Sequence, residues 1–178
     1  MAAKLKASGF RPAILESGAL RMSLQGISDF VKASKPKIVG ITSPTILAAS
    51  ASQLASRIKD IDRNIRIVIG GAHVTALPEE TLTRCSSIDF GVIGEGENTI
   101  VELARYLIHS EGDIEKIRGL VYRKGGRIYC SESRPLIEDI DTLAIPAWEL
   151  IPNFPAAYRP AAYSYCLLPS ANLISSRG

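Results

Sequence analysis

The stretch KIVGITSPT, residues 37–45, decides the fold reading. Ile38, Val39 and Ile41 are apolar without strict alternation, the pattern of a strand covered on both of its faces. Ser43-Pro44 then reads as a helix N-cap followed by proline at the first helical position. Leu47, Leu54, Ala55, Ile58 and Ile61 recur at helical spacing after it, and RIVI at 66–69 forms the next strand. Strand, helix, parallel strand is a crossover unit, and it repeats. Gly70-Gly71 follows RIVI at once, Pro78-Glu79-Glu80 opens a short helix, and DFGVI at 89–93 is a further strand. Glu97 to His109 is a helix with Ile100, Leu103, Ala104, Leu107 and Ile108 facing inward.

Upstream, Lys4 to Ser8 ends a helix at Gly9, and Pro12 to Leu15 (PAIL) reads as a short strand. Ser23 caps a helix whose inner face is Leu24, Ile27, Phe30 and Val31. The class is therefore α/β, a doubly wound parallel sheet of flavodoxin-like type. After Gly112 the pattern changes. Gly119 to Arg123, a turn at Lys124-Gly125-Gly126, and Arg127 to Cys130 make a β-hairpin. From Arg134, prolines at 135, 146, 152, 155, 160 and 169 prevent any long element. The expected organisation is an α/β domain over 1–112, a hairpin appendage over 113–133 and a Pro-rich linker over 134–178.

Composition removes several function classes. Of 178 residues, 46% are hydrophobic and 22% charged, the balance of a packed globular core. Lys plus Arg number 21 against 18 Asp plus Glu, a net charge of +3 spread along the chain. No basic patch for nucleic acid or an anionic membrane follows from that. No apolar run approaches the ~18 residues of a membrane span, and the N-terminus lacks a signal-peptide layout. Cys85, Cys130 and Cys166 are an odd number at wide spacing, which suits reduced cytoplasmic thiols rather than a disulfide framework or a metal site.

In open α/β sheets ligands lie beyond the carboxyl ends of the strands. Three segments fall there: Thr42-Ser43-Pro44-Thr45, Gly70-Gly71-Ala72-His73 and Gly94-Glu95-Gly96-Glu97. Their glycines permit close approach of a ligand to backbone, and the hydroxyls of Thr42, Ser43 and Thr45 offer hydrogen bonds. Each segment alone also fits a bland role, Ser43 as a cap and the glycines as turns. A receiver domain needs an Asp where Thr42-Ser43 stands. A dinucleotide site needs GxGxxG after the first strand, whereas Gly94 to Thr99 gives GxGxxT after the last, with acidic residues facing a pyrophosphate. A flavin mononucleotide loop lacks its glycine in TSPT.

IVGITSPT, IRIVIGGAHVTALPEETL, DFGVIGEGENTIVELARYL, IRGLVYRKGGRI and DIDTLAIPAWELIP, in this order and spacing, resemble a known family. It is the N-terminal cobalamin-binding domain of radical S-adenosylmethionine enzymes, in the group of the anaerobic magnesium-protoporphyrin IX monomethyl ester cyclase. The resemblance implies cobalamin as cofactor, with its corrin on the carboxyl edge. Ser43 with Thr45, Gly70-Gly71 and the Gly94 to Glu97 loop are the matching positions. It implies an accessory role, with methyl transfer or ring-forming chemistry belonging to a parent enzyme. A barrel opening with Cys-x3-Cys-x2-Cys would carry an iron–sulfur cluster and S-adenosylmethionine there. That triplet is absent from this sequence, as is the Asp-x-His-x-x-G motif by which other cobalamin proteins supply an axial histidine.

The resemblance also implies a first strand ahead of Met1, central between PAIL and KIVGIT. The chain is thus expected to be a fragment open at both ends, able to associate with itself through exposed sheet edges. The alternative is a non-catalytic interaction domain or gene fragment that no longer binds the cofactor. His73 reads as a turn or crevice-lining residue rather than a cobalt ligand, and His109 as a favourable charge at a helix C-terminus. Glu95 and Glu97 suit both hydrogen bonding to corrin amides and the first turn of a helix. Trp148 reads as an anchor for the linker, while Tyr158, Tyr163 and Tyr165 are expected to pack on the absent barrel.

Overall fold

A computed structural model describes residues 1–155 and 158. Its strands lie in one sheet in chain order: β1 (Ile38–Thr42), β2 (Arg66–Gly70), β3 (Phe90–Val92), β4 (Leu120–Lys124) and β5 (Arg127–Cys130). β1, β2 and β3 run parallel, and β4 and β5 continue the sheet antiparallel to β3 and to each other. Helices α1 (Ala2–Ala7), α2 (Leu24–Ser34), α3 (Ala48–Ile61), α4 (Ala72–Ala76), α5 (Pro78–Arg84) and α6 (Glu97–His109) cover it.

β2 shows why both faces are covered. Ile67 and Ile69 enter one core with Val31, Ala55, Ile58 and Leu82, while Val68 enters a second core with Val92, Ile100 and Leu103. Alternate side chains of one strand thus feed two layers. Gly91 of β3 has no side chain for a packing reason. A Cβ there would lie 2.6 Å from Val121 and from Val74, so glycine lets α4 close onto the sheet. The hairpin turn is Gly125-Gly126, both at positive φ, as a twist-matched two-residue turn requires.

The flavodoxin-like class holds, and local readings need correction. Pro12 to Leu15 is not a strand: it has no ladder partner, and a short apolar run becomes a strand only through pairing. Leu24 is exposed, and Ile27, Ser28 and Val31 form the buried face of α2, because α3 lies against that side. Leu47 is also exposed, in a 3-10 turn over Thr45–Leu47 that precedes α3. Ser43 does not cap α3. Pro44 flanks the 3-10 turn, and the Ser43 hydroxyl donates instead to the Pro44 carbonyl at 3.0 Å. Ser23 does cap α2, accepting from Gly26 N at 3.1 Å.

β1 ends the sheet. Its Lys37 carbonyl accepts from Arg66 N and its Ser43 N donates to Gly70 O, so alternate residues from 37 to 43 face β2. The N–H and C=O groups of Ile38, Gly40 and Thr42 face the other way, where no strand pairs among the described residues.

Candidate functional site

Because β1, β2 and β3 are parallel, their carboxyl ends share one edge, and the twelve singled-out residues gather there. The three loops are tied together. Ser43 N donates to Gly70 O at 2.9 Å, and His73 N donates to Ser43 O at 3.3 Å. The Thr75 hydroxyl donates to Gly71 O at 3.0 Å and accepts from Gly94 N at 3.1 Å. One threonine therefore links the loop after β2 to the loop after β3. Thr75 went unnoticed in the sequence, where a threonine inside a five-residue helix carries no signal.

The glycines divide by role. Gly71 has φ +102° and ψ −174°, a backbone region open essentially to glycine alone. A Cβ on it would meet Ser43 O at 2.9 Å and Ser43 N at 3.1 Å, so Gly71 serves close packing of the first loop on the second. Gly70 and Gly94 are different. A Cβ built on either meets no heavy atom within 4 Å, and of the two Gly94 is exposed while Gly70 is buried at the end of β2. Gly96 is closed by the Met1 sulfur, 2.9 Å from its Cβ position.

The polar side chains divide likewise. Thr42, Pro44, Thr45 and Ala72 are exposed, while Ser43 is fully buried. His73 is half-buried, and its Nδ1 is enclosed with no hydrogen-bond partner. Glu95 accepts from Ile137 N at 2.7 Å, and Glu97 opens α6 as its first-turn acid. Ile46, directly after Thr45, is 89% exposed, an apolar side chain standing at the mouth of the edge. Two concavities lie elsewhere, one around Ser52, Ser56, Arg57 and Arg84 and one between α1 and Ala144–Glu149; neither includes any of the twelve.

A family model described as the B12 binding domain matches residues 1–104. The chain belongs to the B12-binding domain family. Cobalamin is therefore the group against which the edge must be judged, and the residues fit it. Gly94 leaves exposed backbone that a ligand can approach, no atom fills the Cβ position of the buried Gly70, and the orphaned Nδ1 of His73 lacks a partner that a ligand amide can supply. This B12-binding domain is 38% identical over 140 residues, 78% of its length, to an uncharacterised methyltransferase of Pyrococcus horikoshii. It is 27% identical over 155 residues, 85% of its length, to the anaerobic magnesium-protoporphyrin IX monomethyl ester cyclase of Rubrivivax gelatinosus. It spans only 30% and 28% of those two relatives. Among solved structures, the radical S-adenosylmethionine methyltransferase TsrM of Kitasatospora setae, with cobalamin and a [4Fe-4S] cluster bound, shares its fold. The TM-score is 0.64 at 20% identity, covering 84% of this chain and 28% of that one. The cobalamin-dependent S-adenosylmethionine radical enzyme OxsB, with aqua-cobalamin and S-adenosylmethionine bound, gives 0.56 at 20% identity, covering 64% and 16%.

Other sequence expectations have a place too. His109 ends α6 and lies 5.5 Å from the Phe10 ring. Trp148 is half exposed and stacks on Phe154 at 4.9 Å, while Ala147 beside it is buried. Cys166, Tyr163, Tyr165, Pro160 and Pro169 lie outside the described residues. Among the described residues no group of His, Cys, Asp and Glu could hold a metal ion, and no helix is long and apolar enough to cross a membrane.

Proposed function

We propose that this B12-binding domain holds cobalamin on the carboxyl edge, through Thr42 to Thr45, Gly70 to His73 and Gly94 to Glu97, as the accessory unit of a larger radical S-adenosylmethionine enzyme. The observation that carries the reading is one edge that gathers the exposed Thr42, Thr45 and Gly94 with His73, whose Nδ1 has no hydrogen-bond partner. Bound cobalamin supplies a cobalt centre able to carry a methyl group or relay an electron. The chain's own residues bind and orient. His73 Nδ1 hydrogen-bonds a ligand amide rather than cobalt, the hydroxyls of Thr42 and Thr45 bond polar groups at the rim, and Ile46 covers apolar ligand surface. The Thr75 bridge keeps the second and third loops at a fixed separation.

Residues 1–112 form the cofactor unit, 113–133 the hairpin that extends its sheet, and 134–178 the connection to a barrel that carries the cluster and S-adenosylmethionine. The partner surface is that barrel, not nucleic acid or membrane, and the compartment is the cytoplasm. The open edge of β1 is a site of self-association. Purified protein incubated with hydroxocobalamin, desalted and scanned in the visible region tests the binding. Retention of about one cobalamin per chain is expected. Loss of all colour on desalting would establish the other reading, an interaction domain without cofactor.

A further inference from the structure

The start of the Pro-rich segment after the hairpin is fastened to the ligand edge. Gly119 N donates to Glu132 O at 2.8 Å, so the chain leaving β5 stays against the start of β4. Arg134 follows, its side chain only 15% exposed. Its Nε donates to the buried Thr99 hydroxyl at 2.8 Å, and its Nη2 pairs with the Glu102 carboxylate. The Thr99 hydroxyl in turn donates to Arg118 O at 2.9 Å. Three residues on, Ile137 N donates to Glu95 Oε2 at 2.7 Å. Glu95 belongs to the Gly94–Glu97 loop, and its neighbour Gly94 donates from N to the Thr75 hydroxyl.

We infer that Arg134 is a positioning residue for the ligand edge: it pins the segment to α6, and the pinned Ile137 amide holds Glu95 and with it the Gly94–Glu97 loop. The inference rests on the reading of that loop as part of the cobalamin site. A sheltered guanidinium bonded to a carboxylate and a buried hydroxyl fixes its neighbours far more firmly than an exposed ion pair. The planar fork matters, because one arginine reaches Thr99 and Glu102 at once, whereas a lysine ammonium is a single point charge. Through this latch, whatever follows the segment in sequence is mechanically coupled to the loop.

Amide hydrogen exchange by NMR, without ligand, reads the latch directly at Ile137 and Gly94. Arg134→Ala is expected to speed exchange at both by about tenfold or more, with the β2 amides unchanged. Arg134→Lys is expected to restore little of the protection. Glu95→Ala should speed Gly94 as much as Arg134→Ala does, with no further increase in the double variant, since both open one latch. Glu95→Gln, whose amide oxygen still accepts from Ile137, should keep the protection. If Arg134→Ala proves too unstable to assay, Arg134→Lys carries the same exchange test. The second arm is hydroxocobalamin affinity, expected to fall about tenfold in Arg134→Ala. Wild-type exchange at Gly94 in Arg134→Ala would overturn the inference. So would faster exchange with unchanged affinity. A wild-type protein that retains no hydroxocobalamin would sink the functional reading alone, with the exchange arm still deciding whether Arg134 holds the loop.

Discussion

Replacing Gly71 with alanine separates two uses of glycine that sit side by side at the end of β2. At φ +102° with ψ near 180°, a side chain strains the backbone by about 1–3 kcal/mol. The added Cβ also falls 2.9 Å from Ser43 O, and that atom is backbone, unable to swing aside. Moving Ser43 weakens its bonds to Gly70 O and from His73 N, each worth about 1 kcal/mol. Gly71→Ala is thus expected to lose about 2–4 kcal/mol of stability, measured by urea unfolding, and to lose cobalamin with it. Gly70→Ala is the contrast. Its Cβ meets nothing within 4 Å, so stability should change by about 0.5 kcal/mol or less. Cobalamin retention should nevertheless drop, because the methyl group occupies space reserved for the ligand. A Gly71→Ala protein within about 1 kcal/mol of wild type would refute the reasoning, as would a Gly70→Ala protein that binds hydroxocobalamin normally.

Other outcomes follow from particular residues. His73→Ala should weaken hydroxocobalamin binding while leaving the visible spectrum of the bound form unshifted; a displaced long-wavelength band would make His73 a cobalt ligand. The Cys130 thiol is pushed above the usual range by burial first and by the Glu79 charge and hydrogen bond next. Its thiolate fraction at pH 8 is therefore reduced. Iodoacetamide should label Cys130 more slowly than a thiol in a short peptide, and Glu79→Gln should speed it; an unchanged rate in that variant would remove Glu79 as a cause. The outward-facing groups of Ile38, Gly40 and Thr42 predict dimers or larger species by light scattering. Gly40→Pro, which deletes one outward N–H, should shift them toward monomer, and a monomeric wild type would count against the open edge.

What could be read from residues alone depended on range. Glu97–His109 has the same bounds in the sequence pattern and in the structure, and the hairpin sits around Gly125-Gly126 as its turn chemistry requires. These are local signals. Pro12 to Leu15 failed because a strand is defined by its partner, and the residues themselves cannot supply one. Ser43-Pro44 reads as a cap by composition, yet the hydroxyl of the buried serine bonds the Pro44 carbonyl, a 3-10 turn separates it from α3, and its backbone N and O bond Gly70 and His73. The loops of the site were legible as glycine and hydroxyl clusters after strands. Thr75, and the Arg134–Thr99 contact between residues far apart in sequence, were not, because each acquires its role only when the sheet is assembled.

The join between β3 and β4 also has a temporal meaning. β4 and β5 meet across Gly125 and Gly126 alone, so their pairing closes a minimal loop and forms on the ~1–10 μs scale of hairpins. β1 and β2 meet only after α3 has been spanned, and loop closure there is costlier and slower. The antiparallel pair is therefore available as a ready-made template before the parallel strands exist. Phe90–Val92 pairs with Leu120–Tyr122 only after α6 has been spanned, a closure no shorter than that of β1 on β2. Every strand that carries a ligand loop thus pairs across a helix, so the cofactor edge depends on long-range closures that the hairpin does not need.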